Sequence, residues 1–470
     1  MAFSKKKLFL FGISGVGANM LNLIIGTYLG DALLKTSMVN LVANRTYLNR
    51  DLVIISGWAI ATMISQIING VIDVPFASYL DNMKSKIGKR KAGIIMGAVP
   101  MCAAFLLFLV SPFNNKLSYH TVTFESLNAL TGKMEITQNS LVNADAYGIA
   151  NTIWFAVMLA LFYVAYTCVM LAYYACFSEI TSNDKERQYI ANVKSVIDVV
   201  YFSIGYALIP VLYSFMNIRT ISLIFFPLSL TLLIPIFLLR GEPKTVEAPQ
   251  EKPPGMIKSL IHAFKNKGYL SWMVVYALMN FGIQMFLTGQ GEYLADVGGL
   301  ESWRLAIVNA AAFAPVPLTI LIYNFFVKRR GLRFGYVYAM LAYVVGMIIC
   351  TFVNDGIIAD VTTRMIVGII GAFACSLGIG TFFSISYVIP PHIAAVEREE
   401  TGYTQPSMYF AVQGLVGAGT TAISTGLIWI NMRSYGGKHL LMIVTAVFIT
   451  LSCIATVILP KSIKLIGKQD

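Results

Sequence analysis

Charge is scarce in this chain, and that scarcity decides its class. Asp, Glu, Lys and Arg make up 12% of the 470 residues, about half the share found in soluble domains. Hydrophobic residues make up 57%, and the mean hydropathy is +0.70. The net charge of +12 is dispersed in short segments between apolar runs and forms no basic face, so no nucleic-acid partner is expected. Cysteine is sparse too: Cys102, Cys168, Cys176, Cys350, Cys375 and Cys453 lie within apolar runs without a C-x-x-C pair, which excludes a disulfide framework or a zinc site. The four histidines, His120, His262, His392 and His439, have no metal-ligand spacing. No Ser, His and Asp set and no phosphate-cradling glycine loop is present, so neither enzyme chemistry nor ATP as an energy source is expected. No cofactor is expected.

What is there is a series of about twelve apolar runs, each near the ~20 residues that a bilayer requires. They cover 8–29, 52–79, 93–110, 149–177, 190–215, 220–239, 269–294, 305–327, 335–353, 365–389, 407–430 and 440–459. An all-α polytopic membrane protein follows, with the lipid bilayer as its solvent. The first run comes directly after Lys5, Lys6 and Lys7 and lacks a small-residue cleavage site, so it reads as a first transmembrane helix and not as a removed signal. Lys and Arg concentrate in the loops on one side, including Lys84–Lys91, Lys185–Lys194, Lys328–Arg333 and the C-terminal lysines. That asymmetry places these loops and both termini in the cytoplasm of a cell membrane protein.

Two loops exceed the short connections. Arg240 to Gly268, containing EPKTVEAPQEKPPG, is Pro-rich and charged. It divides the chain into an N-terminal six-helix bundle (1–239), a cytoplasmic linker (240–268) and a C-terminal six-helix bundle (269–470). The polar segment Ser111 to Gly148 lies outside, and reads either as a small cap or as a loop without function. A repeat supports the division. GANMLNLIIGTYL (Gly17–Leu29) and GIQMFLTGQGEYL (Gly282–Leu294) share Gly, an amide, Met, Tyr and Leu at identical offsets, and KIGKRKAG from Lys86 is echoed by KRRGLRFG from Lys328. Parallel repeats of this kind point to the major facilitator fold, with about twelve helices in two bundles.

The most informative stretch is QIINGVIDVPFASYLDNMKSKIGKRK, Gln66 to Lys91. Asn69 and Asp73 lie four residues apart on one helix face inside an apolar run. A carboxylate at membrane depth costs roughly 2.5 to 3.5 kcal/mol even on the lenient insertion scale, so Asp73 must face a polar interior. The loop that follows opens with Asp81 and closes with Gly88, Lys89, Arg90 and Lys91. Asp81 can pair with that basic run or with a helix end of the opposite bundle when the inner side is closed. The same gate role, or that of a solvated loop, is open to Glu179, Asp184, Glu186 and Arg187.

Asp73, Asp81, Gly88, Lys89 and Arg90, together with SEITSNDKER from Ser178 to Arg187, resemble the glycoside-pentoside-hexuronide cation symporters, the family of the melibiose carrier within the major facilitator superfamily. The resemblance covers nearly the whole chain. It implies two six-helix bundles around a central cavity that opens alternately to the two sides. It also implies a cation site with carboxylates on the second helix and a hydroxyl on the fourth, matched by Asp73 and Thr167. Asn69 stands where the family has a second carboxylate, and Ile72 where it has an Asn. Three oxygens from Asp73, Asn69 and Thr167 can hold Na⁺, and a lone desolvated carboxylate can instead exchange H⁺; both remain open at this point.

The family's sugar site is matched in part. Its acids on the first and fourth helices correspond to Asn19 and Met170, its aromatic to Tyr174, and its Lys on the eleventh helix to Gln413. Amides and an aromatic face suit a neutral polyol, so Asn19, Tyr174, Gln413 and Gln284 are candidate solute residues, with Lys194 close to where the family has an Arg. Asp198, one turn on, is expected to neutralise Lys194 in a structural pair. Gln290 and Glu292 read as vestibule or interfacial residues, and Pro210, Pro227, Pro235, Pro315 and Pro317 as breaks or kinks. The expected function is a cation-coupled sugar or glycoside symporter acting as a monomer on a small-molecule solute. The alternatives are the same fold carrying an amphipathic lipid or organic anion, and a transporter-like sensor.

Overall fold

Chains in lipid must satisfy their backbone internally, and long apolar runs do so as helices. The computed structural model describes residues 4–34, 47–48, 50–127, 134–212, 216–239, 256–300, 302–401, 406–429, 432 and 437–468. Each expected span is mainly helical over its described residues. The first is α1 (Lys5–Ile13) with α2 (Val16–Leu23), and the second to fourth are α3 (Ile55–Asn82), α4 (Lys89–Phe108) and α5 (Ala146–Ile180). The fifth is α6 (Asp184–Ser203) with α7 (Ile209–Leu212), and the sixth α8 (Ile218–Phe225) with α9 (Leu233–Leu238). After α10 (Met256–Lys265) come α11 (Lys267–Glu292), the pair α12 (Ser302–Phe313) and α13 (Val316–Arg330), then α14 (Leu332–Thr351), α15 (Val361–Thr401), α16 (Pro406–Thr421), α17 (Leu441–Ala455) and the short α18 (Lys461–Lys464). Among the described residues ten helices are long and apolar enough to cross a membrane. The second and fifth spans fall outside that set, and they carry Asn69, Asp73, Lys194 and Asp198.

Breaks in the spans have local causes. The first span turns at Ser14, whose hydroxyl bonds back to the Phe11 carbonyl at 2.7 Å while its own carbonyl accepts from Thr231 at 2.9 Å. At Gly17 a Cβ would collide with the Leu228 carbonyl, so glycine is what lets α2 lie against the sixth span. The eighth span breaks before Pro315, which caps α13, and Pro227 sits at the start of a 3-10 segment, Phe226–Leu232. Pro75, Pro100, Pro390 and Pro391 lie inside helices that continue through them. Among the described residues four π-helical stretches occur, Ile24–Leu29, Ile204–Leu208, Tyr293–Val297 and Ala422–Trp429. Each lies in the half of its span away from the loops rich in Lys and Arg, an end hereafter contrasted with the basic end.

Three features differ from the expectation. Within the polar segment after the third span, β1 (Tyr119–Leu127) pairs antiparallel with β2 (Met134–Val142) in a register running from Tyr119↔Val142 to Leu127↔Met134. Tyr119 ties this hairpin to the Asp51 carbonyl at 3.0 Å, and Asp145 accepts from both Ser118 and the backbone N–H of Gly148 at the start of α5. Tyr, Thr, Val and Phe are prominent in YHTVTFESL, a composition that suits a pleated strand. The expected linker is also part helix: α10 occupies its second half, while 240–255 lies outside the described residues. Finally, α15 runs for 41 residues, about 60 Å at 1.5 Å per residue. It therefore carries Glu397 well past the expected end of the tenth span.

Candidate functional site

The candidate residues fall in three polar clusters among the described residues, two inside the apolar bundle and one at its basic end. In the first, α3 presents Asn69 and Asp73 on one face toward Thr167 of α5. The Thr167 hydroxyl donates to Asn69 Oδ1 at 3.3 Å, one helical turn from Asp73 on the same face of α3. Thr167 is buried. Asp73 also packs directly against Gly414 of α16, where any Cβ would meet its carboxylate. The three residues expected to hold a cation are thus together, at a seam between the helices of residues 4–239 and those of 256–468.

The second cluster centres on Asp198 of α6. Its Oδ1 accepts from Lys194 Nζ and from Asn19 Nδ2, the latter at 3.1 Å, and its Oδ2 accepts from the Tyr387 hydroxyl of α15 at 2.9 Å. Because that hydroxyl has already given its proton to Asp198, Tyr174, 3.3 Å away, is the donor in the Tyr174–Tyr387 pair. Asn19 Oδ1 in turn accepts from Tyr166 at 2.9 Å. The Lys194 ammonium lies 5.1 Å from the Tyr387 ring centre and 5.9 Å from that of Tyr174, a cation–π arrangement. Lys194 and Asp198 are fully buried, and Tyr174 stacks on both Tyr387 and Phe410. A buried charge pair costs desolvation unless its remaining hydrogen-bond positions are filled, and here neutral donors fill them.

Of the candidate solute residues, Asn19, Tyr174 and Lys194 belong to this cluster. Gln413 lies one turn beyond Phe410 but is held within α11, α15 and α16: it accepts from Trp272 Nε1 at 2.9 Å and donates to the Ser386 carbonyl at 3.0 Å. Gln284 is half-buried on α11. Gln290 is buried near the end of α11, and the Glu292 side chain lies outside the described residues. Asp198 was expected to be a structural partner of Lys194; it is also the hub that touches both halves. Its spacing to Lys194 was legible in the sequence. Tyr166 and Tyr387 carried no signal, being aromatics in apolar runs.

The third cluster lies at the basic end. Arg90, fully buried, donates from Nη2 to Asp81 Oδ1 at 2.9 Å and to Glu179 Oε1 at 2.8 Å, and from Nη1 to Ser407 Oγ at 2.9 Å. Asp81 Oδ2 takes the backbone N–H of Met408 at 3.2 Å, so both Asp81 and Arg90 hold the start of α16. Lys89 stands 3.8 Å from Glu179. Arg187 donates to Asp184 at 2.6 Å, and Asp184 meets His392 Nδ1 of α15 at 2.9 Å. Asp81, Lys89, Arg90 and Glu179 therefore form one latch, whereas Arg187 acts through Asp184. Glu186 belongs to a helix cap: it accepts from Ser182 N at 2.7 Å while Asn183 Oδ1 accepts from its own N–H at 3.0 Å. Ser384 donates to Asn192 at 2.8 Å and Gln188 to Asn324 at 3.2 Å. Among the described residues, the side-chain hydrogen bonds between the two halves lie from the middle of the bundle to its basic end.

With this geometry in view, comparison with known proteins decides the family. Residues 10–461 match the model of the MFS/sugar transport proteins. The chain belongs to that family. It is a transporter of the major facilitator superfamily, and it is not an enzyme. No curated protein matches by sequence. Solved structures share the fold at low identity. A bacterial homologue of the iron transporter ferroportin in an outward-facing state is 12% identical with a TM-score of 0.63, over 96% of this chain and 98% of that one. A variant of the E. coli fucose:proton symporter is 11% identical with a TM-score of 0.63, over 97% and 98%. A proton:xylose symporter bound to 6-bromo-6-deoxy-D-glucose is 12% identical with a TM-score of 0.58, over 96% and 94%.

Proposed function

We propose that this MFS transporter moves a sugar or glycoside together with a monovalent cation, Na⁺ or H⁺, by alternating access across a cell membrane. The observation that carries the reading is the convergence of Asp73, Asn69 and Thr167 against Gly414 of the opposite half. A cation held there touches both halves and so can bias their relative arrangement. The second cluster, with an amide, a carboxylate and stacked aromatic rings, supplies the groups that bind hydroxyls and the C–H face of a sugar. Under the positive-inside rule the basic end and both termini face the cytoplasm, and the latch of Asp81, Arg90 and Glu179 is then the inner gate in its shut form. The working unit in this reading is a monomer.

The test is Asp73→Asn in liposomes with imposed solute, Na⁺ and pH gradients. The amide keeps the shape and removes the charge, so uphill accumulation is expected to be lost while downhill flux remains. Coupling is reciprocal in binding, and the wild type's response to Na⁺ or to pH identifies the ion. Accumulation by the variant with unchanged ion dependence would falsify coupling through α3.

A further inference from the structure

We propose that Asp198 is the carboxylate of the solute site and that, by neutralising Lys194, it selects an uncharged, hydroxyl-bearing solute over an anionic one. The inference rests on the transport reading above and narrows its substrate class. The charges of the cluster sum to zero, because the one cation, Lys194, is bonded to the one anion, Asp198, and Asn19, Tyr166, Tyr174 and Tyr387 are neutral. Both charged residues are fully buried. An anionic solute would bring a second negative charge beside Asp198 into a site with a single, already committed cation, at a desolvation cost without compensation.

The hydrogen-bond pattern favours hydroxyls in the same way. Two of the three donors to Asp198, the Asn19 amide and the Tyr387 hydroxyl, are neutral. Adjacent hydroxyls of a solute replace them one for one while the Lys194 charge stays on Oδ1. Asp198 lies 3.1 Å from Asn19, so the carboxylate and the amide can engage neighbouring hydroxyls of one solute. Displacing Tyr387 also removes one of the bonds that hold α15 to the other half, so occupancy of the site weakens the closure toward the basic end.

The experiment measures binding to the full chain in nanodiscs with probe pairs that differ by one carboxylate: D-glucose and D-glucuronate, D-galactose and D-galacturonate, and, without a sugar ring, monolaurin and laurate. The wild type is expected to prefer the neutral member of a pair by at least about tenfold, and Asp198→Asn, which leaves Lys194 uncompensated, to shift that ratio toward the anion by a similar factor. Tyr387→Phe, which alters no charge, is expected to tighten the neutral probe several-fold by removing its competitor for Oδ2, and it keeps the test decisive if Asp198→Asn does not fold. Preference of the wild type for the anion, a ratio unmoved in Asp198→Asn, or weaker neutral binding in Tyr387→Phe overturns the proposal. Binding of monolaurin alone ends the sugar reading and leaves the charge selection standing. A uronate preferred over its neutral partner does the reverse, and no binding by any probe overturns both.

Discussion

At the scale of single residues, the basic end is held by a charged cluster of the first half that grips neutral groups of the second, Ser407 and the backbone of Met408. Arg90 illustrates why an arginine is needed: its planar fork reaches Asp81, Glu179 and Ser407 at once, which the point charge of a lysine does not reproduce. Asp184 is the titratable member outside the membrane. Burial pushes its carboxyl up, but the hydrogen bond and charge of His392, with Arg187, outweigh that and leave it below its ordinary value of 3.8. A carboxyl depressed by folding contributes stability that is complete above its unfolded value and is lost as pH falls through the folded value. The Asp184–His392 contact is therefore expected to persist in mild acid and to fail only below 3.8. Hydrogen exchange across 384–392 checks this: protection should hold down to that pH in the wild type, and should already be reduced at neutral pH in Asp184→Asn. Equal protection of the two proteins at neutral pH would count against the contact as a latch.

At the scale of elements, close approach and wide turns occupy opposite roles. Gly17 lets α2 touch the sixth span, and a Cβ there meets backbone atoms of Leu228 and Ser229 that cannot swing aside. Gly291, at the other end of the repeat that begins at Gly282, has open space around it. Gly17→Ala is expected to destabilise by about 1 to 3 kcal/mol through overpacking, and Gly291→Ala to be neutral or to stabilise by up to about 1 kcal/mol. Thermal unfolding in one detergent compares them, and similar melting temperatures would refute the packing argument. The π-helical stretches fall in the first, fifth, seventh and eleventh spans, so each half carries two at matching positions. Such widened turns free carbonyls and allow local bending, and here they sit at the end away from the latch.

For the whole molecule, the two halves repeat each other in backbone but differ in chemistry. Gly88 and Gly331, at φ 93° and 88°, start α4 and α14 in the same way, a conformation that favours glycine. The side chains beyond them diverge: Arg90 sits in the charged latch, while Arg333 donates only a 3.3 Å bond to Thr456 among the hydrogen bonds described. Closure at the basic end thus draws its charged contacts chiefly from the first half. A cross-link there should trap the carrier. Ser384→Cys with Asn192→Cys, replacing partners 2.8 Å apart, is expected to form a disulfide that stops net flux in liposomes, keeps solute binding from the far side, and is reversed by a thiol reductant. Undiminished flux in the oxidised protein would mean that these helices do not separate during transport.

The class of this protein, its apolar runs and its repeat were determined by the sequence alone, because burial in lipid imposes a length and a scarcity of charge that most runs display by themselves. Asn69 and Asp73 share a face through helical spacing, and Gly88, Lys89 and Arg90 announce a loop by composition. The tertiary structure decided what spacing along one chain cannot. Asp198 joins Asn19 to Tyr387 over separations of 179 and 189 residues, and the polar segment after the third span forms a hairpin whose two strands were ambiguous without each other. Tyr387 had no sign of its role in the sequence, since an aromatic in an apolar run looks the same whether it packs against lipid or bonds a buried carboxylate; what distinguishes the two is the neighbour that folding brings to its hydroxyl.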